Sequence, residues 1–232
     1  MSMRSIWRTL DGGLARDVAL VCAAIALVGL SFGAITVGSG FAIWVPLLMS
    51  VVVFAGASQF AFVAIIAAGG SIFAGVAAGL LTYARHILFG FSLGDVLGKS
   101  VAARLVGSHL MIDESVAFTI AQRDPARRRA VYWACGAGLF VSWNLGGIVG
   151  AIGGSMISDT NAFGLDAAFP AVLLALVLPS LRDRATRKAA CVGAVIAVAA
   201  SPLLPAGIPI LLALSAVALA VPIRRREKVA TR

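Results

Sequence analysis

Charged residues are scarce in this sequence, and three long stretches contain none. Only 12% of the 232 residues are Asp, Glu, Lys or Arg, whereas soluble proteins average about 25%. Residues 18–84, 130–158 and 189–223 carry no such side chain at all. Each stretch is longer than the roughly 20 apolar residues that one membrane-spanning helix needs. The scarcity of charge therefore excludes a soluble domain and predicts an integral membrane protein that crosses the bilayer several times.

Short segments in which apolar and polar residues alternate are also absent, which excludes a membrane β-barrel. The sequence therefore predicts an all-α fold, a polytopic bundle of transmembrane helices. The bundle forms one domain, residues 17–223, between a cytoplasmic head (1–16) and a basic cytoplasmic tail (224–232). Eight apolar segments fit this fold, and their predicted bounds are residues 17–37, 42–67, 71–93, 101–121, 131–156, 170–179, 189–204 and 208–222.

Residues that enzymes and metal sites commonly use are few. Cys22, Cys135 and Cys191 lie in separate apolar segments without C-x-x-C spacing, so we expect them to pack inside the bundle. The two histidines leave no arrangement for Ser-His-Asp catalysis. No G-x-x-x-x-G-K-[ST] phosphate-binding loop occurs, because Leu93 stands where Gly98-Lys99-Ser100 would need the first glycine, so we expect no ATP-hydrolysing site in the chain. We predict a protein that is not an enzyme and holds no metal and no other cofactor.

The net charge of +9 is explained by the position of the basic residues. Arginine triplets at 127–129 and 224–226 directly flank apolar segments, where basic side chains meet anionic lipid and orient the protein. We therefore expect the lipid bilayer, and no nucleic acid, as the partner of this charge. Because basic loops lie on the cytoplasmic side of the membrane, we assign four basic stretches to the cytoplasm: the head, residues 122–130, residues 181–188 and the tail. The acidic loop 157–166 is assigned to the outside.

Residues 101–121 decide the number of crossings, because they mix charged and apolar side chains. Such a segment is either an amphipathic helix at the membrane surface or a polar span inside the bundle. If the head and residues 122–130 are both cytoplasmic, an even number of crossings must separate them. We therefore predict that residues 101–121 cross as the fourth of eight spans in the inner (plasma) membrane, with both termini cytoplasmic. An interfacial segment would leave seven spans.

Small and polar residues interrupt the second apolar segment. Gly56, Ser58 and Gln59 lie midway along it, and polar side chains inside the membrane are costly, so a function is the first hypothesis. They are candidates for binding a polar group of a solute. The alternative is that they form hydrogen bonds between helices. Asn144, a single amide in the middle of the fifth segment, has the same two interpretations.

Ionisable residues lie inside the third and fourth segments. Burying Arg85 costs about 2.5–3.5 kcal/mol on insertion scales, so we predict that it pairs with Asp113 or Glu114. In a transporter of zwitterions, this pair would open to receive the carboxylate and ammonium of the solute. The alternative is a static ion pair that fixes the register of the helices. His86 or Glu114 is a candidate for carrying a coupling proton.

Two glycine patterns predict close helix packing. The first segment contains Gly29-x-x-x-Gly33, and the fifth carries glycines at 146, 150 and 154 along one helix face. Glycines spaced in this way let two membrane helices approach closely. The stripe in the fifth segment is expected to pack either within the chain or against another subunit.

Five motifs occur in order along the chain: FAGASQF at 54–60, R-H-x-x-x-G-x-S-L at 85–93, D-E-S-x-A-F at 113–118, S-W-x-x-G at 142–146 and F-G-L-D-x-A-x-P at 163–170. Together they resemble the AzlC family, the large subunits of two-component branched-chain amino acid exporters. The resemblance covers nearly the whole chain and is looser after residue 189. In one departure, Tyr83 and Ala84 stand where the family often has asparagine and leucine before the Arg-His pair, which leaves the solute preference open.

The resemblance implies a secondary transporter that exports branched-chain and similar hydrophobic L-amino acids, such as valine, leucine and isoleucine. It also implies a small AzlD-type membrane subunit as a partner. Two other functions remain open at this stage. The protein is either a non-transporting membrane scaffold subunit with structural ionic residues, or a transporter of another small solute.

Overall fold

A computed structural model describes residues 12–84, 86–156, 180–204 and 208–219, together with residues 174 and 178. This part of the chain is helical and contains no β-strand. The short segments 180–182 and 214–219 form 3-10 helices. The α-helices are α1 Gly12–Gly38, α2 Trp44–Val52, α3 Gly56–Ala67, α4 Ile72–Tyr83, α5 His86–Leu93, α6 Val101–His109, α7 Asp113–Ile120, α8 Pro125–Ser155, α9 Arg184–Ala200 and α10 Ile208–Ala213.

Helices α1 and α8 form the frame of the fold. They contain 27 and 31 residues, which corresponds to about 40 and 46 Å of helix. Their contact surface is made of glycine backbone. A Cβ atom at Gly33 would run into the carbonyl oxygen of Gly147, and one at Gly150 into the carbonyl oxygen of Leu30. The faces of α1 and α8 that carry the two glycine patterns therefore pack against each other within this chain.

The main core lies where α1, α3 and α8 meet. Phe32, Phe60 and Trp143 are buried there. The Phe32 ring stacks on the Trp143 indole with ring centroids 5.5 Å apart, and it meets the Phe60 ring edge-on at 5.4 Å. Aromatic pairs of these geometries are favourable beyond their buried area. The core therefore fixes α3 against the α1–α8 frame.

The second predicted segment is broken rather than continuous. It is divided into α2 and α3 at residues 53–55, where Phe54 has a φ of +34°. A positive φ is unfavourable for a bulky residue. The Phe54 side chain is buried and its ring meets that of Phe140 edge-on at 5.1 Å. The packing of the Phe54 side chain therefore stabilises the non-helical backbone between α2 and α3, and α3 begins at Gly56.

The fourth predicted segment is broken as well. Helix α6 ends at His109, and α7 begins at Asp113. The Ser115 hydroxyl accepts a hydrogen bond from the Ile112 N–H at 3.0 Å and lies 3.1 Å from the carbonyl oxygen of Leu110. A hydroxyl that binds backbone groups at a helix end favours starting a new helix there. The chain between the two helices therefore has a defined conformation.

Side chains at the start of α8 anchor the chain that leads to α7. The Tyr132 hydroxyl donates a hydrogen bond to the Gly107 carbonyl oxygen at 2.6 Å. The Trp133 indole N–H donates one to the Val96 carbonyl oxygen at 3.2 Å. The Arg128 guanidinium pairs with the Asp95 carboxylate at 3.3 Å. These contacts hold residues 94–110 against α8 and so position the first turn of α7.

Within the described ranges, three helical stretches are long and apolar enough to cross a membrane: Gly12–Gly38, Ile72–Leu93 taken across residue 85, and Pro125–Ser155. Their outer faces are apolar, and Phe73 and Phe91 are about 85% exposed, as expected for side chains that face lipid. The described part of the chain is thus all-helical, as predicted, and contains helices suited to crossing a membrane. The count of eight spans and the domain bounds stay predictions. The sixth predicted segment and the loop 157–166 fall outside the described residues, apart from positions 174 and 178.

Candidate functional site

A cavity of about 300 Å³ lies where the two broken segments meet the α1–α8 frame. The turn before α3 and the first turn of α3 form one side of it, and the first turn of α7 forms the other. Helix α1, the first residue of α5 and one residue of α8 complete the lining. Its lining residues are Ile25, Val28, Phe54, Ala55, Gly56, Ala57, Ser58, Phe60, His86, Ile112, Asp113, Glu114 and Trp143.

The α3 side of the cavity offers hydrogen-bond donors. The first N–H groups of a helix have no partner within the helix, and the helix dipole makes this end positive. At α3, the N-cap residue Ala55 provides no side-chain cap. The Trp143 indole nitrogen, on the wall beside this helix end, is buried and has no hydrogen-bond partner among the described residues. This side therefore suits an anionic group such as a carboxylate.

The α7 side of the cavity is acidic. Asp113 and Glu114 occupy the first turn of α7, and both line the cavity. Carboxylates at this end of a helix are stabilised by the helix dipole. They suit a cationic group such as an ammonium. Within the part of the chain that the structure describes, no group of three or more His, Cys, Asp or Glu residues is placed to hold a metal ion.

The remaining wall is apolar. Ile25 and Val28 are three residues apart on α1 and share one helix face, while Ile112 and Phe60 approach from the other helices. A Cβ atom at Gly56 would lie 3.0 Å from Cη2 of Trp143, so glycine lets the indole pack directly on the start of α3. The cavity thus combines a donor end, an acidic end and an apolar wall.

His86 borders the cavity from α5. Its imidazole ring stacks on the Tyr83 ring with centroids 4.1 Å apart, and Nδ1 lies 2.9 Å from the Tyr83 carbonyl oxygen. The Phe89 ring meets it edge-on at 5.4 Å. This aromatic contact fixes the ring at the edge of the cavity. The role of His86 or Glu114 in carrying a proton stays a prediction.

The structure separates the residues that were predicted to form one site. Gly56, Ser58, Asp113 and Glu114 line the cavity, as does His86. Gln59 lines a second cavity on the opposite face of α3. Asn144 lines neither cavity, and its amide nitrogen donates to the Phe140 carbonyl oxygen at 2.8 Å. Arg85 lies outside the described residues, so its pairing with Asp113 or Glu114 stays a prediction.

Sequence reasoning missed the apolar half of the cavity. Ile25, Val28, Phe60 and Ile112 are ordinary apolar residues in apolar helices, and only tertiary packing distinguishes them from lipid-facing neighbours. Trp143 was noticed as part of a family motif but not as a lining residue. A tryptophan in a glycine-rich helix was the available signal, because its indole N–H needs a partner when buried.

Comparison with known proteins places the chain in context. The family model described as AzlC protein matches residues 20–157. An uncharacterized membrane protein of Helicobacter pylori (strain 26695) is 27% identical over 204 residues, which cover 87% of this chain and 89% of that protein. The inner membrane protein YgaZ of Escherichia coli K12 is 32% identical over 163 residues, 66% of this chain and 62% of its own. No solved structure gives a significant match.

The family match runs from α1 to the end of α8 and so includes the whole cavity lining. It covers more than half of the 232 residues, and the relatives are named as membrane proteins. These findings point to a transport-type membrane protein. They also confirm the resemblance seen in the motifs: the chain belongs to the AzlC family.

Proposed function

We propose that this protein is a secondary transporter that exports branched-chain and similar hydrophobic L-amino acids, acting with a small AzlD-type membrane subunit. The observation that carries the proposal is the composition of the cavity between α3 and α7. It presents hydrogen-bond donors at one end, carboxylates at the other and an apolar wall between them. An apolar amino acid has the same three parts.

In the proposed complex, the solute carboxylate binds at the start of α3, within reach of backbone N–H groups and the Trp143 indole. The ammonium group lies toward Asp113 and Glu114, where charge-assisted hydrogen bonds form. The aliphatic side chain contacts Val28 and the other apolar lining residues. A volume of about 300 Å³ is at the lower end of the range for ligand sites, which favours one small solute.

The broken segments support transport as the function of such a site. Helices α2 and α3 contain 9 and 12 residues, or about 14 and 18 Å. Each covers about half of a hydrocarbon core of roughly 30 Å, so the break at residues 53–55 would lie near the membrane midplane. Secondary transporters commonly place their solute site between discontinuous helices at that depth, with helix N-termini toward anionic groups.

The proposed orientation follows the basic stretches. Both termini lie in the cytoplasm, the α6–α7 segment crosses the inner membrane as the fourth of eight spans, and the acidic loop 157–166 lies outside. The alternative of a non-transporting scaffold rested partly on glycine faces free for assembly. The glycine stripe on α8 packs against α1 within this chain. It therefore gives no support to the scaffold function.

We expect cells that express the protein with a small AzlD-type subunit to release valine faster than cells without them. The cells would be loaded with branched-chain dipeptides, whose hydrolysis raises internal amino acids, and efflux would be followed over time. An increase of several-fold is expected for valine, leucine and isoleucine. Lysine from a loaded lysine dipeptide serves as the control and should leave at the same rate in both strains. Equal valine efflux with and without the protein would rule out the exporter.

A further inference from the structure

A second cavity of about 480 Å³ lies on the opposite face of α3, between α2, α3 and α4. Its walls are mainly apolar and include Met49, Val52 and Leu80, and because Val52 and Leu80 are 62% and 65% exposed the cavity opens on the outer surface of the helices. Helix α4 turns glycines toward α3 here: a Cβ atom at Gly75 would lie 2.9 Å from the Phe62 ring, and one at Gly79 would lie 3.5 Å from the Ser58 carbonyl oxygen. The polar residues in the lining are Ser58, Gln59, Tyr83 and His109.

Gln59 is the unusual residue of this cavity. It is 0% exposed, and neither the nitrogen nor the oxygen of its side-chain amide has a hydrogen-bond partner among the described residues. Buried polar side chains in proteins are almost always hydrogen-bonded, so an exception needs an explanation. An amide provides two donors and an acceptor, and it can therefore bind both a carboxylate and an ammonium group. An amphipathic zwitterion would satisfy it, whereas a lipid acyl chain would not.

Helix α3 is the wall between the two cavities. Ser58 lines both of them, Phe60 lines only the first and Gln59 only the second. The wall ends at the break of residues 53–55, because the Val53 N–H closes α2 on the Met49 carbonyl oxygen and the Ala55 carbonyl oxygen accepts the first hydrogen bond of α3, from the Gln59 N–H. A solute in the first cavity therefore needs only to pass Ser58, at the first turn of α3, to reach the second.

We propose that the second cavity is a second station for the exported amino acid, with the Gln59 amide as its polar anchor. This inference rests on the proposed function. The solute moves between the two faces of α3 past Ser58 and leaves the donor end of the first cavity for the Gln59 amide. Asp113 and Glu114 serve the first station, and no acidic residue among those that the structure describes lines the second. The second station therefore binds the solute more weakly, which favours release.

Single cysteines in each cavity test the proposal. Val28 lines only the first cavity and Val76 only the second. The variants V28C and V76C would be made in a C22S/C191S background, which keeps only the buried Cys135. Labelling by N-ethylmaleimide would be timed in membranes that contain the small subunit, with and without L-valine, and with L-lysine as the control solute. We expect valine to slow labelling of both variants at least threefold and lysine to slow neither.

The variant Q59L separates the anchor from a structural role. Leucine has a similar size and removes an amide that lacks a partner, so the thermal stability of Q59L should equal or exceed that of the parent. In Q59L/V76C, valine should no longer slow labelling, while in Q59L/V28C its protection should persist. Protection of V28C without protection of V76C would overturn the second station and leave the exporter intact. Protection of neither variant would overturn the first site as well.

Discussion

Replacing Val28 with tryptophan should lower valine export at least tenfold, whereas the same replacement at neighbouring Leu27 should leave export near the parental rate. Val28 lines the cavity between α3 and α7, and an indole there would occupy the space that the solute side chain needs. A tenfold loss corresponds to about 1.4 kcal/mol of binding, which is modest for a blocked site. The measurement is valine efflux from dipeptide-loaded cells that also express the small subunit.

Leu27 is the matched control because it is next in sequence on α1 and 68% exposed on the outer face. L27W therefore adds the same side chain on the lipid side of the same helix turn. Both variants must reach the membrane in equal amounts and elute as single species in detergent, since overpacking a core can also destabilise it. A folded V28W variant that exports valine at the parental rate would show that the cavity is not the solute site.

Replacing Gly150 with alanine should destabilise the protein strongly. A Cβ atom at Gly150 would run into the backbone carbonyl of Leu30 on α1, and a backbone atom cannot move aside as a flexible side chain can. Helices α1 and α8 must therefore separate. Overpacking of this kind costs about 1–3 kcal/mol, which should lower the melting temperature in detergent by about 2–12 °C.

Gly153 provides the comparison for this change on the same helix. A Cβ atom at Gly153 would meet no atom within 4 Å, and alanine favours helix more than glycine does. G153A should therefore melt at or above the parental temperature. Equal melting temperatures for G150A and G153A would contradict the close packing of α1 and α8.

Sequence patterns were sufficient for the class of the protein and for its helix-packing surfaces. The lack of charge required membrane helices, and the glycine spacing at 29, 33, 146, 150 and 154 marked the two faces that pack together. Small residues at regular spacing have one main use in the membrane, namely close helix contact. The sequence could not decide whether the partner face lay in the same chain, because that depends on tertiary packing.

The breaks in the helices could not be predicted in the same way. Residues on both sides of Phe54 are apolar, so hydropathy continues through the break. What holds it is the contact between Phe54 and Phe140, two residues far apart in sequence. Gln59 and Phe60, which are adjacent in one motif, border different cavities. Successive residues of a helix point about 100° apart, and here both faces of α3 are lined by open space.

The pairing of Arg85 stays a prediction, because Arg85 lies outside the described residues. It was paired with Asp113 or Glu114 because a buried cation needs an acidic partner. These two carboxylates lie at the start of α7 and face the cavity. They can therefore serve the solute ammonium as well as a cation of the protein.

The most direct test of the cavity between α3 and α7 compares three ligands of the same aliphatic side chain. L-valine carries both charged groups, isovalerate lacks the ammonium and valinamide lacks the carboxylate. Affinities would be measured by calorimetry on the purified protein with its small subunit. A site with donors at one end and carboxylates at the other should bind valine at least tenfold more tightly than either analogue. Equal affinity for valine and isovalerate would contradict the role of Asp113 and Glu114, and equal affinity for valine and valinamide would contradict that of α3.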